Sequence, residues 1–80
     1  MKQDIILLAR YGYKHYLKHV QDNLWTLECD PKSSGCFRII GVPGNIVAID
    51  PDGGPFLSVG DQVSDYHIKS ITINGLIELE

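Results

Sequence analysis

Apolar residues recur along this chain in short runs, broken about every ten residues by glycine, proline, asparagine or aspartate. Short apolar runs bounded by such turn residues read as strands, because the runs are too brief for a stable helix. Strand character lies in Asp4–Arg10, Tyr13–Val20, Leu24–Cys29, Cys36–Ile40, Asn45–Asp50, Tyr66–Ile73 and Leu76–Glu80. The connectors carry turn chemistry: Gln21-Asp22-Asn23, Asp30 to Gly35, Gly41 to Gly44, and Asp50 to Asp61.

The clearest turn is Asn74-Gly75, flanked by Ile73 and Leu76. A two-residue hairpin loop of type I′ needs positive φ at both central positions, which asparagine and glycine tolerate best. Pairing Ile73 with Leu76 sets Ile71, Ile73, Leu76 and Glu78 on one face. Ile68, Ser70, Thr72, Ile77 and Leu79 fall on the other. Both faces are then partly apolar. A short chain covers two such faces by closing its sheet into a barrel or by contacting a second chain.

Two patterns compete in the N-terminal third. Tyr13, Tyr16, Leu17 and Val20 follow helical spacing and would leave Lys14, His15 and Lys18 exposed. A hairpin closed by Gln21-Asp22-Asn23, with Asn23 in the left-handed conformation, accounts for the same residues and for Leu24-Trp25-Thr26-Leu27 beyond them. The hairpin is the favoured reading. It places Tyr13, His15, Leu17, His19, Trp25, Leu27 and Cys29 on one face, with His15 beside Cys29.

Composition agrees with strands. The 80 residues include 17 Ile, Val and Thr but two Ala, and 44% are hydrophobic. β-branched residues favour strands, and helix formers of the alanine kind are scarce. Seven of the eight glycines lie between Gly35 and Gly75, and the four prolines between Pro31 and Pro55, which excludes a long helix there. The expected fold is mainly β. It is a single small barrel or roll over residues 1–80, SH3-like in size, with five to seven mostly antiparallel strands and room for one short N-terminal helical turn.

The start of the chain has an apolar run of five residues, Ile5 to Ala9, short of a secretory core and of the ~18 residues of a membrane span. The expected compartment is the cytoplasm, with no membrane association. There Cys29 and Cys36 would stay reduced unless they held a metal.

Candidate chemistry is sparse. His15, Cys29 and Cys36 fall in a row across three strands of the expected sheet, and their nitrogen and sulfur atoms suit Zn²⁺. Their C-x₆-C spacing is wider than ordinary zinc modules use. A cross-strand disulfide or two buried thiols explains the same cysteines, so no cofactor is expected. Asp50, Asp52, Ser58 and Asp61 match calcium-loop positions, but Pro55 stands where the glycine should be. A backbone turn explains these letters better.

Charge is lopsided. The net charge is −3; residues 1–38 carry six Lys and Arg against four Asp and Glu, and residues 39–80 carry one against six. Arg10, Tyr11, Tyr13, Lys14, Tyr16 and Lys18 interleave bases with aromatics, as surfaces for single-stranded nucleic acid do. That footprint is thin on an acidic domain, so nucleic acid is the second reading. A domain this small has little room for a catalytic pocket. The expected function is a non-enzymatic interaction module that binds a protein partner or self-assembles. Phe56 and Leu57 in the Pro/Gly-rich loop, with Ile71, Ile73 and Leu76 of the last hairpin, are the expected contacts. A metal or thiol site at His15, Cys29 and Cys36 is the third reading.

Overall fold

β-branched and aromatic residues set the local structure throughout. In the computed structural model, which describes residues 3–10, 13–29, 37–42, 45–49 and 55–80, every regular element is a strand. The strands are β1 (Ile5–Arg10), β2 (Tyr13–Gln21), β3 (Leu24–Cys29), β4 (Arg38–Val42), β5 (Asn45–Ile49), β6 (Pro55–Leu57), β7 (Gln62–Val63), β8 (Tyr66–Ile71) and β9 (Leu76–Leu79). Six of them form an antiparallel, nearly closed barrel-like sheet in the order β1-β2-β3-β9-β8-β7. The other three, β4-β5-β6, form a second antiparallel sheet.

The fold class expected from the sequence is the one observed, with β6 and β7 as short additions. The optional helical turn is absent among the described residues. Along β2, Leu17 is fully buried while Val20 is 52% exposed. A helix with the spacing of Tyr13, Tyr16, Leu17 and Val20 would bury both. A strand sends odd and even residues to opposite faces, and that alternation prevails.

The β2–β3 register matches the expected one where it matters. His15 lies opposite Cys29, Leu17 opposite Leu27 and His19 opposite Trp25. Its tip differs. A bulge falls between His19 and Gln21, Gln21 pairs with Leu24, and Asp22 rather than Asn23 takes the positive φ, at 47°. The bulge consumes one residue of the expected loop, so the turn tightens to Asp22-Asn23.

The C-terminal hairpin departs further. Ile71 pairs with Ile77 and Ile68 with Leu79, while Thr72 N–H donates to the Leu76 carbonyl at 2.8 Å. The loop is therefore Ile73-Asn74-Gly75, with Gly75 alone at positive φ, 84°. That is the three-residue hairpin in which glycine takes the left-handed position. Gly75 N–H donates back to the Thr72 carbonyl at 3.0 Å, and the Thr72 hydroxyl accepts from Leu76 N–H at 3.0 Å. A second irregularity between Ile68 and Ser70 turns both Ile68 and Ile71 inward. The apolar residues consequently sort onto one face, and the expected two-sided hairpin is corrected. The outer face carries Ser70, Lys69 and Glu78, joined by a hydrogen bond of 3.2 Å and an ion pair of 3.6 Å.

Gly75→Ala should lower stability by about 1–2 kcal/mol, the cost of a side chain in the left-handed region. Gly41, on β4 with open space around it, is the control. Alanine there should be neutral or slightly stabilising, and thermal melts of the two variants make the comparison.

One core serves both sheets. Leu17, Trp25, Ile68, Ile71, Ile77, Leu79 and Val63 from the large sheet meet Ala48 and Leu57 from the small one, with Phe37 alongside. The radius of gyration is 11.9 Å, close to the roughly 11.6 Å of a compact chain this long. Among the described residues, no helix is long and apolar enough to cross a membrane.

Candidate binding site

The sheet has two edges, and they come together. Among the described residues β1 pairs with β2 alone and β7 with β8 alone, so a β1–β7 contact would be the one needed to complete the barrel. In its place runs an open groove. One part, of ≈ 260 Å³, lies between Ile5, Ile6 and Leu7 of β1 on one side and Leu57, Gln62 and Val63 on the other. A larger part, of ≈ 630 Å³, continues along Asp4, Ile5 and Ile6 towards Ser64, Asp65 and Tyr66 and touches Trp25. Ile5, Ile6 and Ser64 line both.

Local sequence explains each wall. Strand alternation packs Ile5 and Leu7 on the core and leaves Ile6 outward and 64% exposed, with a bulge following between Ile6 and Leu8. The opposite wall is held by two turns. At Ser58–Asp61 the Asp61 N–H donates to the Ser58 carbonyl at 3.1 Å, with Gly60 at φ 95°. Glycine is the residue that third turn position of type II requires. The Asp61 carboxylate accepts from Ser58 N–H at 3.0 Å, so Asp61 works as a turn brace. This is the backbone reading preferred over a calcium loop; Asp50 and Asp52 lie outside the described residues. The second turn, Ser64-Asp65, joins Val63 to Tyr66 with Ser64 at φ 57°.

The groove pairs acidic groups with aromatic ones. Asp4 and Asp65 are both exposed on its rim, and no ion pair or hydrogen bond engages either carboxylate among the described residues. Trp25 is 1% exposed and lies at the base, 6.0 Å from the Tyr66 ring and 5.0 Å from the His19 ring, centroid to centroid. Its Nε1–H is buried with no acceptor. That nitrogen is closed to solvent, so the indole forms the base of the groove without offering a bond to a ligand.

The contacts expected from the sequence scatter. Leu57 and Ile71 are core residues, 4% and 5% exposed, Leu76 is half-buried, and Ile73 stands out at the hairpin loop with 59% exposure. The Phe56 side chain lies outside the described residues. Leu57 nonetheless helps to line the groove. Of the aromatic and basic set, Tyr16 and Lys18 project from the outer face of β2, half-buried and exposed. Tyr11 and the side chains of Arg10, Tyr13 and Lys14 lie outside the described residues.

His15 and Cys29 are neighbours across β2 and β3, as expected. The cysteine is disulfide-bonded, which corrects the expectation of reduced thiols. Cys36 is the chain's only other cysteine and lies outside the described residues. A sulfur held in a disulfide is not a thiolate ligand, and among the described residues no group of three or more His, Cys, Asp or Glu could hold a metal. His15 itself is 5% exposed, packs tilted against the Phe37 ring with centroids 4.7 Å apart, and leaves Nδ1 without a partner.

Sequence reasoning missed Asp4, Ile6, Asp65 and Tyr66 as a group. They lie about sixty positions apart, and only knowledge of which strands end the sheet brings them together. The Ile5-Ile6-Leu7 run was the available signal, since continuous apolar residues at the start of an edge strand leave one of them outside. Comparison with protein-family models, with curated proteins and with solved structures found no match to this chain.

Proposed function

We propose that the domain is a non-enzymatic interaction module that binds a protein partner along the seam between β1 and β7. The observation that carries this reading is the pair of sheet edges, unpaired among the described residues, that face one groove with Ile6 exposed beside it. Edge strands are templates for another chain, and proteins that do not use them cover or charge them. Self-assembly through the same edge is the homotypic form of this function. The disulfide at Cys29 supports work in an oxidising compartment over the cytoplasm.

Capture from native lysate, with and without nuclease, tests the proposal when the wild type is compared with Ile6→Lys. Ile6 is exposed, so the variant should fold with stability within about 0.5 kcal/mol of wild type. A protein partner should survive nuclease and fall at least tenfold with the variant. Loss on nuclease treatment would favour nucleic acid, and equal capture by both proteins would remove the seam from the proposal. Light scattering at high concentration separates self-assembly from a foreign partner.

A further inference from the structure

Resting on that reading, we propose that the seam takes an extended peptide segment carrying a lysine or arginine, the cation held between Asp4 and Asp65 beside the Tyr66 ring. Three observations converge on this occupant. The first is shape: a groove bounded by the free edge of β1 accepts an added strand, whose backbone groups pair with those the edge leaves unpaired. An extended segment fits it; a helix has no backbone groups to offer.

The second observation is charge. Asp4 and Asp65 stand on the two sides of the larger part of the groove, and among the described residues no lysine or arginine lines either part. The chain has no lysine or arginine between Ile39 and Ile68, and Lys69 is paired with Glu78. A cation entering between the two carboxylates gains from both. A peptide carboxylate there meets like charge on each side, which is the repulsive half of a selective site.

The third is the tryptophan. Trp25 lines the groove, is almost fully buried, and has an indole N–H with no acceptor. That nitrogen is closed to solvent, so an added strand covers the indole without bonding to it, and the indole reads out that covering. The neighbouring Tyr66 ring, half-buried on the groove, offers a face to a cation, with guanidinium and ammonium both suited. A neutral apolar peptide would satisfy the strand edge and leave the carboxylates unused.

Trp25 is the only tryptophan in the chain, so its indole N–H gives a single resonance and reports on the groove directly. The probes are three capped pentapeptides, Thr-Val-Xaa-Val-Thr, with lysine, norleucine or glutamate at the centre, titrated into the ¹⁵N-labelled intact protein. The lysine peptide should shift the indole signal saturably, bind about tenfold more tightly than the norleucine peptide, and weaken as salt is raised. The glutamate peptide should be weakest. The double variant Asp4→Asn, Asp65→Asn should bring lysine binding down to the norleucine level without altering norleucine binding. Equal affinity of the lysine and norleucine peptides at the seam would overturn the cationic assignment and leave the seam itself standing. Failure of all three to shift the indole or any β1 amide would overturn both.

Discussion

Trp25→Ala should cost about 3–5 kcal/mol and leave much of the protein unfolded at 37 °C. The side chain is 1% exposed, and its neighbours come from both flanking strands and from β8. A domain of this length has roughly 4–12 kcal/mol of total stability, so the loss is a large share of it. At about 4–8 °C per kcal/mol, the melting temperature should fall by at least ~12 °C. The orphan indole N–H does not reverse the sign, because the volume lost from the core outweighs one unsatisfied donor. A companion pair makes the comparison specific to the hairpin. Ile71→Ala, at a 5% exposed position, should cost about 2–4 kcal/mol, whereas Ile73→Ala, at 59%, should stay within about 0.5 kcal/mol. Similar costs at the two sites would contradict the three-residue loop and restore the pairing of Ile73 with Leu76.

Reduction of the disulfide at Cys29 should have the second-largest effect. The sequence spacing of Cys29 and Cys36 closes a loop of about eight residues, for which chain entropy gives roughly 2.5 kcal/mol. A thermal melt with reductant should therefore run about 10–20 °C lower than one without. Cys29→Ala should match the reduced protein and become insensitive to reductant. A free-thiol assay on the native, unreduced protein should detect no thiol. Two reactive thiols with no shift in the melt would contradict the disulfide and bring back the cytoplasmic expectation.

Much of the β2–β3 hairpin is legible in the sequence because alternation over nine residues overdetermines it. A one-residue slip would separate Leu17 from Trp25 and Leu27, and the turn at Asp22-Asn23 fixes the register that carries His15 opposite Cys29. The C-terminal hairpin is less legible for a local reason. Asn74-Gly75 fits a two-residue loop as well as the second and third positions of a three-residue one, and the two differ by one register step. Burial of Ile77 and Ile71 decides it, and burial is a property of the whole fold. The irregularity between Ile68 and Ser70 compounds the error, since one extra residue reverses the faces beyond it. β6 and β7 are three and two residues long, too short for any periodicity. The site is harder to read for a related reason: the run Ile5-Ile6-Leu7 signals an outward apolar residue, but an edge is defined by the absence of a neighbour, which depends on the whole fold.

The open seam is the feature on which binding depends, and amide hydrogen exchange on the free protein measures it. With the edges unpaired, alternate amides of β1 and those of β7 on the groove side should exchange freely, while β3, β8 and β9 amides stay protected. Protection spread evenly along β1 and β7, at the level of β3 and β9, would mean that the two edges pair with each other. The barrel would then be closed, and there would be no slot for a partner to fill.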